Sequence, residues 1–301
     1  MDMQVGLLDQ LIAHGLLTWT GVDGLYGRSA AFEAIVQGLE SLIADLGRDD
    51  GAEVLRFPPA ITQTQLEASG YMKSFPQLAG TVHAFCGGDH EHLELLGKLD
   101  SSEDWTGEQK PTGIVLTPAA CYPLYPMAAA QGPLGGKGRL FDVQSYCFRH
   151  EPSSDPARMQ LFRMREFVRM GSPEQVQAFR QLWIDRAWGM VSRLELPMEV
   201  VPANDPFFGR AGRMMKLSQR EQGLKLEGVI PLSTGRPTAC MSFNYHMDHF
   251  AQVWDLRLAT GEPAHTGCVG FGLERLTLAL LRHHGFAIGA WPEGVRRALR
   301  T

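Results

Sequence analysis

Phe148-Arg149-His150-Glu151, then a polar loop from Pro152 to Arg158, then Leu161-Phe162-Arg163-Met164-Arg165-Glu166-Phe167 is the stretch whose reading decides the fold. The first segment closes an apolar run from Arg139 to Cys147, and the second opens another from Leu161 to Met170. Two extended runs joined by a loop rich in Pro, Ser and Asp read as a β-hairpin. Its charges are aimed at something polar. Arg149 and Glu151 stand two residues apart, on one face of a strand, so they either pair across a sheet surface or meet a ligand.

Outward from the hairpin, the segments alternate between helix and strand signals. From Ser29 to Leu46, Phe32, Ile35, Val36, Leu39, Leu42, Ile43 and Leu46 recur at helical spacing, and Gly47 follows as a stop. Glu53 to Phe57 is a short extended run ended by Pro58 and Pro59, which cannot donate to a ladder and so place it at an edge or interface. Ser172-Pro173-Glu174-Gln175 combines a serine cap, a first-turn proline and a capping-box glutamine, and predicts a helix through Phe179, Leu182, Trp183 and Val191 to Leu194. A further helix is predicted over Gly272 to His284. Met198 to Val201 and Thr238 to Phe243 are extended. Runs of strands with few helices between them predict an α+β fold with an antiparallel sheet flanked by helices. No internal repeat or long polar linker divides residues 1–301, which read as one domain.

At 301 residues, 44% hydrophobic and 20% charged, the chain can bury a large core without metals or disulfides to hold it. A net charge of −5 gives no global attraction to nucleic acid or anionic lipid. Met1 to Gln10 carries Asp2 and Asp9 and lacks a basic start before an apolar run, so a cytoplasmic protein is expected. The most apolar stretch, Gly113 to Gly132, is broken by Pro118, Pro123 and Pro126 and reads as strand and loop, not as a membrane span. Five cysteines, at 86, 121, 147, 240 and 268, are odd in number and scattered, so they are reduced thiols or metal ligands.

Several motifs fail on inspection. Gly135-Gly136-Lys137-Gly138 is not a phosphate loop, because Gln131 stands where its first glycine belongs and no Ser or Thr follows the lysine. In Gly270-Phe271-Gly272-Leu273-Glu274-Arg275, Arg275 replaces the third glycine of a dinucleotide fingerprint. Asp89-His90-Glu91-His92 and His246-Met247-Asp248-His249 read as solvated turns or helix starts before they read as metal sites. His283 and His284 end a helix before Gly285, where imidazoles satisfy free carbonyls.

Phe-Arg-His-Glu, a loop, and Phe-Arg-Met-Arg-Glu-Phe resemble motif 2 of the class II aminoacyl-tRNA synthetases, and Gly270 to Arg275 resembles their motif 3. The Ser29 to Leu46 helix and the strand ending at Pro59 are similar to motif 1, the dimer-forming element. Within the class, Thr117-Pro118-Ala119-Ala120-Cys121, Arg165-Glu166-Phe167 and Thr266-Gly267-Cys268 most resemble the zinc-dependent atypical seryl type and its truncated relatives, the amino acid:[carrier protein] ligases.

The resemblance implies roles for individual residues. Arg149 would grip the α-phosphate of ATP, where charge builds as a carboxylate attacks. Glu151 would accept from the adenine amino group, while Phe167 stacks on one face of the ring and Arg275 covers the other and reaches the γ-phosphate. Backbone at Arg158 and Met159, the Ala239-Cys240-Met241-Ser242 strand and Lys225 would add nucleotide contacts. Mg2+ is implied on the phosphates. Cys121, Glu166 and Cys268 would hold one Zn2+ with an open fourth position for the substrate amine. Cys86, Cys147 and Cys240 remain small buried hydrophobes. The implied substrate is a small amino acid, glycine or alanine, with Met241, Phe243 and Asn244 as candidate walls.

The resemblance also bears on the acceptor. Seryl enzymes carry an N-terminal tRNA-binding domain, whereas about 28 residues precede the first motif helix here, without a basic stripe or heptads, so tRNA is disfavoured. The truncated relatives load the phosphopantetheine thiol of an acidic carrier protein. Arg210, Arg213, Lys216 and Arg220 place positive charge on a small helical insertion near 204–224, the expected docking surface unless they are merely a solvated helix face. The expected protein is thus a homodimeric ligase. Two alternatives are a tRNA-charging synthetase lacking its own tRNA domain and a non-catalytic synthetase-like regulator.

Overall fold

A computed structural model describes residues 6–208, 222–232 and 237–301. The helices are α1 (Leu7–Ala13), α2 (Ala30–Leu46), α3 (Gln63–Ala68), α4 (Tyr71–Ser74), α5 (Asp89–Asp100), α6 (Leu124–Ala130), α7 (Pro173–Arg193), α8 (His249–Trp254), α9 (Leu273–His284) and α10 (Glu293–Leu299). The strands are β1 (Leu17–Trp19), β2 (Tyr26–Arg28), β3 (Glu53–Arg56), β4 (Ala60–Thr62), β5 (Thr81–Phe85), β6 (Gln109–Leu116), β7 (Arg139–Phe148), β8 (Leu161–Gly171), β9 (Glu199–Pro202), β10 (Lys225–Ile230), β11 (Thr238–Met247) and β12 (His265–Gly272). No helix among the described residues is long and apolar enough to cross a membrane.

Seven strands form the main sheet in the order β3-β7-β8-β12-β11-β10-β9, and β4-β6-β5 form a smaller one. The hairpin exists as read: β7 and β8 pair antiparallel from Arg139↔Met170 to Phe148↔Leu161. The sheet is antiparallel except at one edge, where β3 runs parallel to β7 with Glu53 opposite Phe141, which corrects the uniform antiparallel expectation. Sequence patterning cannot set strand direction, and an edge strand stopped by two prolines needs only one partner.

The long helices begin and end where their caps dictate. The Ser29 hydroxyl accepts from the Phe32 amide at 3.3 Å to start α2. Ser172 and Gln175 close a reciprocal capping box on α7. With α9 and α10 these helices cover one face of the sheet over a core that includes Phe32, Ile35, Leu39, Phe167, Trp183, Phe243 and Phe271. On the other face α6 and α8 cover Val143, Val168, Met170 and Cys268. The α6 helix corrects the strand-and-loop reading of Gly113–Gly132 beyond Leu116. Its Pro126 lies in the first turn, where the missing N–H has no intrahelical partner to lose.

Buried ion pairs bolt β8 to α2 and α9. The Arg163 amide and Nε donate to Glu274 at 2.7 and 2.8 Å, and its Nη atoms donate to Glu33 at 2.6 and 2.8 Å. Arg165 Nε donates to Asp142 at 3.0 Å and Nη1 to the Glu40 carbonyl at 2.7 Å. Removing one partner of such a pair strands the other charge and costs about 3–5 kcal/mol.

The α2 glycine Gly38 tests this helix layer, because a Cβ there would lie 2.3 Å from the Leu299 carbonyl oxygen. In an open helix Gly→Ala stabilises by about 1 kcal/mol; Gly38→Ala is expected to lower the denaturation midpoint instead, and a raised midpoint contradicts this α2–α10 contact.

Candidate active site

Strand alternation organises the site. Along β8, Arg163, Arg165 and Phe167 face the helix layer, whereas Phe162, Met164 and Glu166 face the opposite side. There a pocket is lined by Arg149, Glu151, Met159, Phe162, Met164, Lys225, the Ala239–Ser242 segment, Gly270 and Arg275. Arg149, Glu151, Met159, Lys225, Ala239, Cys240, Met241, Ser242 and Arg275, all singled out from sequence, therefore converge on one cavity.

Two cations dominate its field. Arg149 Nε donates to the Pro118 carbonyl at 3.1 Å, and its guanidinium carbon lies 5.5 Å from the Phe162 ring centroid. Arg275 donates to the Ala157 and Ala239 carbonyls at 2.8 and 2.9 Å. Among the described residues neither arginine makes a salt bridge, and both are anchored by neutral carbonyls, so the pair can meet an anion in the pocket. Burial and, more weakly, the Arg149 charge hold Arg275 below the ordinary guanidinium range. Glu151 meets Arg158 at 3.8 Å rather than pairing with Arg149, and Arg158 itself is largely exposed at the rim. Lys225 bridges Asp205 and Glu227.

One expected contact is overturned. Phe167 is 1% exposed and its ring lies 4.2 Å from that of Trp183, on the helix side of the sheet, so it cannot stack on a ligand in the pocket. Phe162, which the sequence reading passed over, is the aromatic on the pocket side. The signal was available: Glu166 and Phe167 are adjacent in a strand and must point to opposite faces, so choosing Glu166 for the site excludes Phe167 and admits Phe162 and Met164. Phe243 is likewise in the helix-side core, which removes it from the substrate wall; Met241 belongs to that core cluster and also borders the pocket, and Asn244 lies against Cys268.

Farther along the same face, Cys121, Glu166 and Cys268 are all buried, and their ligand atoms lie within 4.8 Å of one another. Ligands so distant in sequence meet because β8 and β12 are neighbours, with Glu166 opposite Gly270 and Cys268 opposite Val168, while the loop after β6 delivers Cys121. Glu166 Oε1 accepts from the Ala120 amide at 3.1 Å, whereas Oε2 is buried with no hydrogen-bond partner among the described residues. Burial, then the charge of Cys268, pushes the Glu166 carboxyl up to about 8. The Cys121 thiol donates toward Cys268 and lowers the latter's pKa, and His246 and Asn244 add to the effect. Two buried sulfurs and a carboxylate oxygen within 4.8 Å of one another suit an N/S-preferring divalent ion such as zinc.

His246 is a further finding. Its Nε2 lies 3.7 Å from Cys268 Sγ and its Nδ1 3.1 Å from Thr266 Oγ1, and Asn244 Nδ2 lies 3.3 Å from the same sulfur. The solvated-turn reading of His246-Met-Asp-His249 is thus corrected for His246, which β11 places beside the triad. The remaining short motifs are structural. Asp89–His92 starts α5, with Glu91 accepting from the Gly88 amide, and His283 and His284 meet the carbonyls of Pro231 and Leu194. Cys147 and Cys240 are buried as expected, whereas Cys86 is exposed. Arg210, Arg213, Lys216 and Arg220, with most of the 204–224 insertion, lie outside the described residues.

The two phenylalanines make a clean test. Phe167→Ala is expected to cost about 3–5 kcal/mol of stability, while Phe162→Ala, in a partly open pocket wall, costs less than half as much in the same urea titration; equal losses would contradict the face assignment.

No family model matches the chain. It is 49% identical to amino acid--[acyl-carrier-protein] ligase 1 of Bradyrhizobium diazoefficiens over 97% of this chain and 89% of that protein. Ligase 2 of the same organism is 48% identical over 97% of this chain and 87% of that one. The type-2 serine--tRNA ligase of Methanopyrus kandleri is 28% identical over 61% of this chain and only 37% of its own length. Among solved structures, M. kandleri seryl-tRNA synthetase in complex with tRNASec superposes with a TM-score of 0.84 at 21% identity, covering 99% of this chain and 60% of that one. The Pyrococcus horikoshii seryl-tRNA synthetase gives 0.72 at 17% identity, covering 100% and 64%. These structures share the class II synthetase fold, and the two Bradyrhizobium proteins show that this chain belongs to the amino acid--[acyl-carrier-protein] ligase family of enzymes.

Proposed function

We propose that the protein activates a small amino acid, glycine or alanine, with ATP and transfers it to the phosphopantetheine thiol of a carrier protein. One observation carries this reading: an anion-seeking arginine pair and a Cys/Glu/Cys triad lie on one face of one sheet, with Met164 of β8 between Phe162 and Glu166. A site built to join a phosphorylated nucleotide to an amine-bearing acid needs those two halves side by side.

In this reading Phe162 and Arg275 sandwich the adenine, Glu151 accepts from its amino group, and Arg149 neutralises charge developing at the α-phosphate. Carrier-protein loading follows two displacements. A carboxylate oxygen of the amino acid attacks the α-phosphorus and pyrophosphate leaves; the carrier thiol then attacks the adenylate carbonyl and AMP leaves. Mg2+ accompanies the phosphates. Zn2+, when bound by Cys121, Glu166 and Cys268, supplies an anchor for the substrate amine. Beyond the triad, Tyr125 and Phe250 stack at 3.9 Å and His246 meets Phe250 edge-on at 5.0 Å, leaving little room for a side chain. Reduced thiolates suit a cytoplasmic setting. β3 leaves a free outer edge on the main sheet, with Val54 61% exposed, which supports a homodimer across it. The acceptor reading draws on Arg210, Arg213, Lys216 and Arg220, a local positive run in an acidic protein that complements an acidic carrier.

Amino-acid-dependent exchange of pyrophosphate into ATP is expected with glycine or alanine, lost on zinc removal and restored by readdition. Arg149→Lys should slow it by roughly 10²–10³-fold; exchange that survives both manipulations refutes the assignment. Separately, Arg213→Glu with Arg220→Glu is expected to slow aminoacyl transfer to carrier protein and leave exchange intact. Unchanged transfer removes the docking surface, and efficient charging of tRNA instead of carrier removes the acceptor.

A further inference from the structure

The roles above leave Tyr71 unassigned. It opens α4 in the smaller β4-β6-β5 unit, is 5% exposed, and its hydroxyl is buried without a hydrogen-bond partner among the described residues. A buried hydroxyl left unsatisfied is costly, and phenylalanine would fill the same space without that cost. Its position argues that the partner is a ligand. The ring meets Tyr122 edge-on at 5.6 Å, and Tyr122 follows the triad residue Cys121 directly. The Arg149 charge also acts on this hydroxyl, and Arg149 lines the nucleotide pocket. Tyr71 thus neighbours a residue adjoining the triad and feels the charge of a pocket arginine.

The surrounding structure holds it there. Phe75 packs on Tyr71 at 5.1 Å and stacks on Phe207 at 5.0 Å. The Phe208 amide donates to the Ser74 carbonyl at 2.9 Å, and Gln77 Nε2 donates to the Pro206 carbonyl at 3.1 Å. Residues 206–208 thereby strap α4 onto the site. A second orphan lies in the same region: Thr117 Oγ1 is fully buried and unpartnered, one residue before the Pro118 carbonyl that anchors Arg149. Burial pushes the Tyr71 phenol up to about 12 against the opposing pull of Arg149, so it is a hydrogen-bond donor at neutral pH.

We propose that the Tyr71 hydroxyl is a catalytic residue, which donates a hydrogen bond to the amino-acid carboxylate as it attacks the α-phosphate and to the carbonyl oxygen of the resulting adenylate. The bond formed is carboxylate oxygen to α-phosphorus, the bond broken is α-phosphorus to the bridging oxygen, and the electron pair leaves with pyrophosphate. Tyr71 keeps its proton throughout, and its hydrogen bond orients the carboxylate for in-line attack. This rests on the adenylate-forming reading above.

The test uses the full chain loaded with zinc. Tyr71→Phe is expected to lower kcat/KM for the amino acid in pyrophosphate exchange about 10- to 100-fold while leaving the Kd for ATP unchanged. Its melting temperature should equal or exceed that of the parent, because an unsatisfied hydroxyl has been removed. Two analogues locate the effect: the aminoacyl-sulfamoyl adenosine, which keeps the acyl oxygen, should bind the variant more weakly by a similar factor, and the aminoalkyl adenylate, which lacks that oxygen, should bind both proteins alike. Unchanged exchange, or equal weakening of both analogues, overturns the role of Tyr71. Absence of exchange in the parent protein overturns instead the adenylate-forming reading itself.

Discussion

The pairing of β8 between β7 and β12 is the constraint on which the rest depends. Its register sets Glu166 opposite both Val143 and Gly270, and Cys268 opposite Val168. A slip of one residue would exchange the two faces of the strand. Arg163 and Arg165 would then lose Glu33, Glu274 and Asp142, and Glu166 would be driven into the apolar layer under Trp183. The buried ion pairs on one face therefore fix the side chains offered to substrate on the other. Their contribution is to choose one register, since paired buried charges add little net stability yet are costly to break.

Rigidity on one face permits unsatisfied chemistry on the other. Arg149 and Arg275 rest on backbone carbonyls rather than carboxylates, and among the described residues Glu166 Oε2 and the hydroxyls of Tyr71, Thr117 and Tyr125 have no hydrogen-bond partner. Such groups cost stability when left unpaired, and in the function proposed above a nucleotide, a metal and an acid would satisfy them. This is the usual relation between a preorganised site and the core that supports it.

Most of the framework was legible in the sequence because its signals are local. Ser29 and Gly47 bracket α2, Ser172 and Gln175 start α7, and the turn-rich loop joins β7 to β8. The convergence of nine pocket residues and of Cys121, Glu166 and Cys268 was legible only through resemblance, since the triad's spacing matches no compact metal motif. What escaped was non-local or depended on facing. The parallel direction of β3 is set by tertiary packing. The α6 helix was hidden by prolines that are harmless in a first turn. Phe162 rather than Phe167 faces the pocket because the two-residue period of a strand, which motif likeness does not encode, sets the facing. His246 reaches Cys268 only through the β11–β12 pairing, and Tyr71 comes from the short helix α4, which carries no motif.

In the function proposed above, the Phe162, Met164 and Glu166 face of β8 carries both halves of the chemistry. Zinc-edge anomalous diffraction from crystals grown with zinc and ATP tests this most directly. The account predicts a single strong peak among Cys121, Glu166 and Cys268, with adenine density lying over the ring of Phe162. A peak elsewhere, or a base bound away from Phe162, would contradict it.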